Sequence, residues 1–286
     1  MAVSKRIGVC LTVGVNTPNM ASSAYKGVKA PPLNGCVLDS DMMMSLATKA
    51  KFKTMQQLTE ASATRDAVLG EIRKAATALE GNRGLFLFHF SGHGMRGIPG
   101  GTKRDSTGRP ISCMLLRDGP LASFELYKEW SNFSPGVRIL VLSDSCHSGR
   151  VVKNSFIPRG LTDSDQATIV SNNSAFFNQI QSRAALGPAD VPKAPVVLIS
   201  GCKIDEFSSD TTEGGLFTTN LMKVWKEGGF DDDYDEFRRE IRDKVNQESL
   251  AGTNGQLTQR PEIFFVGAQG FEDDMALFLN QKPFTI

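Results

Sequence analysis

Two short motifs carry side chains that could catalyse acyl transfer. Cys146 lies in the stretch Asp144-Ser145-Cys146-His147-Ser148-Gly149, directly after an apolar run. His93 lies in Ser91-Gly92-His93-Gly94, which also follows an apolar run directly. A thiol attacks as its thiolate, and an imidazole can take up the thiol proton and later give it to the leaving amine. The two motifs therefore predict a Cys–His dyad, with the backbone N–H groups of Gly94 and Cys146 stabilising the oxyanion.

The remaining histidines and cysteines favour structural roles. His89 precedes His93 by four residues, but in a strand these positions are about 13 Å apart, and no Glu follows His89, so zincin chemistry is excluded. His147 is next to Cys146, and the side chains of adjacent residues point apart. The other cysteines outside the motifs are interpreted as small buried hydrophobic residues: Cys10, Cys113 and Cys202. The chain has no phosphate-binding glycine loop and no G-x-S-x-G motif.

Hydrophobic periodicity shows which elements position the two motifs. Short apolar runs alternate with segments of helical spacing. The predicted strands are 6–15, 53–58, 84–91, 137–143, 195–200 and 262–266, and the predicted helices are 35–50, 62–80, 122–132, 215–228 and 233–249. Strands that are apolar throughout indicate an α/β fold with a mostly parallel central sheet and helices on both faces. Such sheets form their sites at the carboxyl ends of the strands, where both motifs lie.

Composition narrows the function classes. The chain has 286 residues, of which 40% are hydrophobic and 22% charged, and 32 basic residues against 31 acidic ones give a net charge of +1. This balance argues against a nucleic-acid partner, and no apolar run approaches the roughly 18 residues that span a bilayer. Five cysteines without a C-x-x-C pair disfavour a disulfide framework or a cysteine zinc site. We expect a cytoplasmic protein with no cofactor and no metal.

One segment departs from the alternating pattern. Residues 150–194 lack a strong period and are rich in Ser, Asn, Pro and Ala. Long irregular segments within a domain are usually functional or disordered. Since sheet strands flank the segment, we predict a single domain over 1–286 with a long flexible excursion at about 150–194.

The two motifs resemble the signatures of a known family. His89-Phe90-Ser91-Gly92-His93-Gly94 and 144–149, about fifty residues apart, are similar to the His and Cys motifs of caspase-like cysteine peptidases of clan CD, and most similar to those of metacaspases. Weaker matches cover much of the rest of the chain: 33–39, 200–203 with Asp205, and 215–218. The resemblance implies the caspase-haemoglobinase fold, with His93 and Cys146 as the dyad.

The resemblance also implies a primary specificity pocket, lined by Cys36, Asp39, Ser91 and Asp144. Two carboxylates in one pocket favour Arg or Lys before the scissile bond, because opposite charges about 4 Å apart attract by up to ~4 kcal/mol at intermediate dielectric. Caspases that cleave after Asp need an arginine in this pocket, and no arginine is evident among these positions. The structural alternative is that Asp39 and Asp144 are a helix-start charge and a strand-end cap.

Metacaspases that require calcium hold it with acidic residues that this chain lacks at the matching positions. The helix start reads Ser123-Phe124-Glu125-Leu126, and the seventh residue after Cys146 is Lys153. Hard cations need several oxygen ligands, so we predict activity without calcium, with Lys153 supplying a positive charge in place of the ion. The acidic run 231–236 lacks the pattern of a calcium loop and is interpreted as an acidic helix N-terminus.

The excursion occupies the place of the family's inter-subunit linker. It holds basic residues that a basic-specific pocket would accept: Arg150, Lys153, Arg159, Arg183 and Lys193. We predict self-cleavage in this segment; an unprocessed surface loop is the alternative. The predicted partners are protein or peptide substrates, and the predicted state is a monomer. Two other functions remain open: a catalytically silent caspase-like scaffold, and a thiol peptidase that prefers Asp or Asn.

Overall fold

The computed structural model describes residues 6–96, 112–146, 157–182, 191–203, 206–266 and 272–286. Its strands, in chain order, are β1 Arg6–Val15, β2 Thr54–Thr59, β3 Arg83–Gly92, β4 Gly94–Arg96, β5 Ser112–Leu115, β6 Pro120–Ala122, β7 Val137–Asp144, β8 Ile157–Pro158, β9 Val196–Ser200, β10 Ser209–Thr211, β11 Gly214–Gly215 and β12 Glu262–Val266. Its helices are α1 Cys36–Lys49, α2 Arg65–Leu79, α3 Ser123–Trp130, α4 Asp163–Asn172, α5 Ser174–Ser182, α6 Leu216–Trp225, α7 Tyr234–Gly252 and α8 Glu272–Leu279.

The central sheet has the strand order β12-β9-β7-β3-β1-β2. β1, β2, β3, β7 and β9 run parallel, and β12 closes the edge antiparallel to β9. The middle strands are buried along almost their whole length, as their continuous apolar sequences require. The predicted α/β class with a mostly parallel sheet is confirmed.

Two hydrophobic layers cover the faces of this sheet. One face packs on α2 and α3 through a cluster that includes Phe86, Phe88 and Trp130. The other face packs on α1, α6 and α7 through a cluster that includes Leu87, Leu140 and Phe237. Alternate residues of β3 and β7 point to opposite layers, so each strand contributes to both cores.

Local signals explain where the main helices begin. Thr64 caps α2, since its side chain accepts a hydrogen bond from the Ala67 N–H, and Asp233 caps α7 by accepting from Asp235 and Glu236. The predicted acidic helix start in 231–236 is confirmed by this cap. The predicted elements outside the 150–194 segment agree with the structure to within a few residues at each end.

The prediction of one irregular excursion over 150–194 is wrong for its described part. β8, α4 and α5 lie within it, and Ile169, Phe177 and Ile180 are buried in a third hydrophobic cluster with Tyr25 and Met95. The two helices have only ten and nine residues, so neither gives a long periodic pattern in the sequence. The small sheets β4-β5-β6 and β8-β10-β11 and the helix α8 were also missed by the periodicity.

Candidate active site

The pairing of β3 with β7 brings the two motifs to one edge of the sheet. The strands are parallel neighbours, and Ser91 lies directly opposite Asp144. His93 follows Ser91 by two residues, and Cys146 follows Asp144 by two residues, so both lie just beyond the carboxyl ends of adjacent strands. This is the position that the strand order of an open α/β sheet favours for a site.

Near this edge of the sheet, the carboxylates of Asp39, Asp144 and Asp210 surround the guanidinium of Arg159. Arg159 Nη2 donates to Asp39 Oδ2 at 2.8 Å and to Asp210 Oδ1 at 2.7 Å. Its Nη1 donates to Ser91 Oγ at 2.6 Å and to the Asp144 carbonyl at 2.9 Å, and lies 3.2 Å from Asp144 Oδ1. The side chains of the arginine and of all three aspartates are fully buried. The absence of an arginine from this pocket, expected from the sequence, is therefore contradicted.

The three carboxylates are also held by the protein around them. The Gly215 N–H donates to Asp39 Oδ1 at 2.7 Å, and the Thr218 N–H donates to Asp144 Oδ2 at 3.0 Å. Asp210 accepts from the N–H groups of Asn34 and Gly35 at 2.7 and 3.1 Å. Each carboxylate is therefore fixed by backbone donors of a second element, which keeps the pocket in shape around its occupant.

The charges of the pocket do not cancel. Three carboxyl groups surround one guanidinium, and burial makes any negative charge that the guanidinium does not neutralise costly. Burial raises the pKa of Asp39 to about 6, although Arg159 opposes the rise. Burial by itself would lower the pKa of Arg159, but Asp144, Asp39 and Asp210 outweigh it and raise that pKa well above its usual range. The pocket thus favours a cation, and both terminal nitrogens of the guanidinium are already bound to oxygen acceptors of the pocket.

The backbone of Arg159 follows β8 and lies in the groove between Ser208 and Gly94, with a hydrogen bond to each. Its N–H donates to the Ser208 carbonyl at 3.0 Å, and its own carbonyl accepts from the Gly94 N–H at 3.2 Å. The preceding residues form β8, which pairs antiparallel with β10, so that Ile157 lies opposite Asp210. Gly94 was predicted as an oxyanion donor, and in the structure its N–H binds the carbonyl of a residue whose side chain fills the acidic pocket.

His93 contacts the same carbonyl. Its Nδ1 lies 3.0 Å from the Arg159 carbonyl oxygen, and its Nε2 lies 2.8 Å from the carbonyl oxygen of Pro31. Burial lowers the pKa of this imidazole, and the two carbonyls oppose that effect. A neutral ring can donate to one of the two carbonyls only.

Cys146 follows β7 as predicted, and it is fully buried although its neighbours in the sequence are polar. Its thiol donates to the Glu206 carbonyl at 2.9 Å, and its side chain packs with Cys202 and Phe207. Contact with Cys146, together with burial, raises the pKa of Cys202. The residues that bury Cys146 come from segments more than fifty positions later in the chain, which local polarity cannot reveal.

The other residues singled out from the sequence fall into three groups. Cys36 is buried beside the pocket, and burial raises the pKa of its thiol. His89 is a packing residue, as predicted: it is fully buried, neither ring nitrogen has a hydrogen-bond partner among the described residues, and burial lowers its pKa to about 3. Several positions lie outside the described residues: His147, Arg150, Lys153, Arg183 and Asp205.

Asp210 is the pocket residue that the sequence analysis missed. It lies on β10, more than a hundred residues after Ser91, in a stretch whose acidic and small residues are typical of an exposed turn. The one local signal is the Gly214-Gly215 pair that follows it. Gly215 lies so close to the occupant that a Cβ atom there would be 2.7 Å from both terminal nitrogens of Arg159.

A mostly parallel sheet with a histidine and a cysteine beyond neighbouring strand ends is the arrangement that the caspase-like resemblance implies. The caspase-domain family profile matches residues 7–268. The chain therefore belongs to the caspase-domain family, whose members are cysteine peptidases, and this supports a peptidase function with protein substrates. A search of curated proteins finds no match.

Two solved structures illustrate the similarity. The crystal structure of protein GSU0716 from Geobacter sulfurreducens is 32% identical, covers 98% of this chain and 99% of its own, and has a TM-score of 0.78. The crystal structure of caspase-1 from Spodoptera frugiperda is 15% identical, covers 91% and 87%, and has a TM-score of 0.59, which shows a shared fold alone. Among the described residues, no helix is both long enough and apolar enough to cross a bilayer.

Proposed function

We propose that this protein is a cysteine endopeptidase that cleaves after basic residues, Arg or Lys, with a His93–Cys146 dyad. The pocket of Cys36, Asp39, Ser91 and Asp144 binds the side chain of the residue before the scissile bond. The enzyme works without calcium, and it processes itself within 150–194. Within the caspase-domain family, we propose that the protein is metacaspase-like.

One observation carries the proposal: Arg159 lies in the groove as a substrate would. Its guanidinium fills the acidic pocket, its N–H pairs with the Ser208 carbonyl, and its carbonyl meets both the Gly94 N–H and His93. A structural arginine needs the ion pairs but not the placement of its carbonyl against predicted catalytic groups. This pose supports the Arg159–Gly160 peptide bond as the site of self-cleavage.

The chemistry follows from these groups. His93 takes the thiol proton, the hydrogen bond from Cys146 to the Glu206 carbonyl is lost, and the thiolate attacks the Arg159 carbonyl carbon. The Gly94 N–H stabilises the oxyanion. His93 returns the proton to the Gly160 nitrogen as the peptide bond breaks, which leaves a thioester. Water then hydrolyses the thioester, with the imidazole as general base, and releases the Arg159 carboxylate and the thiol.

Incubation of the purified full chain tests the proposal. We expect the wild-type protein to convert into two fragments, with a new N-terminus at Gly160 by intact mass and N-terminal sequencing. Cys146→Ala should remain a single chain because the nucleophile is gone. Arg159→Ala should lack this cut, whereas the control Lys193→Gln, which alters an exposed basic residue of the same segment, should be cut as the wild type is.

The same assay tests the role of calcium. The rate of self-cleavage should be unchanged in millimolar chelator; loss of cleavage that only calcium restores would contradict calcium independence. A cut that persists in Cys146→Ala would show that a contaminating peptidase, and not this site, is responsible.

A catalytically silent scaffold is the second candidate, because Cys146 is buried and its thiol is bound to the Glu206 carbonyl while Arg159 fills the groove. Peptides ending in Arg, Lys, Asp or Asn before a fluorogenic amide distinguish the functions. Arg159→Ala empties the pocket and should cleave the basic peptides. Cleavage of none of them, with Cys146 inert to alkylation, would favour the scaffold, and cleavage after Asp or Asn would favour a different peptidase specificity.

A further inference from the structure

The two ends of the guanidinium are bound by different sets of acceptors. Nη1 contacts three oxygen atoms: the Ser91 hydroxyl, the backbone carbonyl of Asp144 and one carboxylate oxygen of Asp144. Nη2 meets two carboxylates, those of Asp39 and Asp210. Nε has no hydrogen-bond partner among the described residues, so the contacts are made through the two terminal nitrogens.

A lysine in the pocket could bind only one of these two sets of acceptors. An ammonium group carries three donors on a single nitrogen, which suits the three acceptors around the Nη1 position. No second nitrogen would then reach the carboxylate pair at the other end. Asp210 would remain a buried anion without its cation, and an unpaired buried charge is costly.

Asp210 differs from the other two carboxylates in where it lies. Asp39 and Asp144 belong to α1 and to the end of β7, and they come from the motifs that the sequence resemblance covers. Asp210 belongs to β10, the strand that pairs with β8 just before Arg159. Its carboxylate therefore reaches the guanidinium from a different element than Asp39 and Asp144 do.

We propose that Asp210 is a specificity-determining residue that makes the pocket select arginine over lysine, because it provides an acceptor that only the second nitrogen of a guanidinium reaches. The inference rests on the proposed function and narrows its substrate class. The preference for arginine applies both to other protein substrates and to self-cleavage after Arg159. A charge-assisted hydrogen bond that is present for one side chain and absent for the other predicts a preference of about tenfold to a hundredfold.

Four full-length chains form the test: wild type, R159K, D210N, and R159K with D210N. Self-cleavage is followed on denaturing gels. With Asp210 present, R159K should slow cleavage after residue 159 by about tenfold or more. With D210N, which removes the charge and keeps one oxygen as an acceptor for either the Asn34 or the Gly35 N–H group, the difference between Arg and Lys at residue 159 should shrink to about threefold or less.

A second readout uses the self-cleaved enzyme and two fluorogenic peptides that differ only in Arg or Lys before the scissile bond. The ratio of their kcat/KM values should be high for the wild type and low for D210N. Glu213→Gln, which removes an exposed charge from the same hairpin, should keep the wild-type ratio. A general loss of stability would lower both rates and leave the ratio unchanged.

The outcomes separate the inference from the proposed function. Equal cleavage after Arg and Lys by the wild type, or a ratio that D210N leaves intact, overturns the role of Asp210 while the endopeptidase stands. Absence of any cleavage after basic residues overturns the proposed function itself. If D210N does not fold, R159K in the otherwise unaltered chain decides alone, since equal self-cleavage rates of R159K and the wild type contradict the inference.

Discussion

At the scale of single residues, the cost of burying the Asp39 carboxylate opposes the stabilisation that its ion pair and hydrogen bonds provide. Its carboxylate has no exposure to water, and it is stabilised by Arg159, Ser91 and the Gly215 N–H. Even with these partners, burial raises its pKa to about 6. The charged form is therefore less favourable in the folded protein than in the unfolded chain, where Asp has its ordinary value of 3.8.

This pKa predicts a pH dependence of stability. A raised pKa means that Asp39 contributes its full stabilisation below pH 4, where it is protonated in both states, and that the contribution is lost as the pH rises through about 6. The shift corresponds to about 3 kcal/mol. In a Cys146→Ala background, the wild-type free energy of unfolding should fall by up to that amount relative to Asp39→Asn between pH 4 and pH 7, as measured by urea denaturation.

The control for this experiment is Asp41→Asn, an exposed carboxylate on the same helix, which should show no comparable pH-dependent difference. A constant difference between wild type and Asp39→Asn across this pH range would contradict the raised pKa of Asp39.

At the scale of elements, β10 is the template on which an extended chain is bound. β8 pairs with it antiparallel, and the Arg159 N–H continues the pairing to the Ser208 carbonyl. Strand addition of this kind derives affinity from main-chain hydrogen bonds and specificity from the side-chain pockets. We therefore expect substrates to pair with β10 through the same main-chain hydrogen bonds once Arg159 has left the groove.

A methylated peptide tests this binding mode. The peptide Ile-Pro-Arg before a fluorogenic amide copies residues 157–159. Methylation of the Arg amide nitrogen removes the donor for the Ser208 carbonyl, and kcat/KM should fall at least about fivefold, the value of one hydrogen bond. A methyl group on the nitrogen of an extra residue before Ile should have little effect. Equal loss from both modifications would contradict strand pairing at Arg159.

At the scale of the whole molecule, the proposed cut divides one continuous sheet. β7 lies before Arg159 in the chain and β9 lies after it, yet the two strands are parallel neighbours paired from Ile139–Val196 to Ser143–Ser200. α6 and α7 also follow the cut, and they pack on β3 and β7 through Phe217 and Phe237. The fragments therefore share one hydrophobic core.

We expect the two fragments to remain associated after self-cleavage. Native mass spectrometry should give one species of the intact mass plus one water, gel filtration should give one peak, and a denaturing gel should show two bands. Uncleaved Cys146→Ala should elute at the same volume. Separation of the fragments under native conditions would contradict the shared core.

The sequence determined the alternation of strands and helices, because apolar runs of strand length and amphipathic segments are local patterns. Its two motifs at strand ends also predicted His93 and Cys146 as a dyad, and their resemblance to a known family implied a pocket of Cys36, Asp39, Ser91 and Asp144. The caspase-like fold implied by those motifs is confirmed, whereas their catalytic and binding roles stay predictions.

Only the tertiary structure decided what fills the pocket. Arg159 lies ten residues after the Cys motif but inside an irregular segment, and Asp210 lies about fifty residues further along the chain, so local sequence does not show that the two side chains meet. They meet because β8 pairs with β10 and because buried carboxylates need a cation. Contacts of this kind depend on which distant segments pack together, and neither periodicity nor motif spacing contains that information.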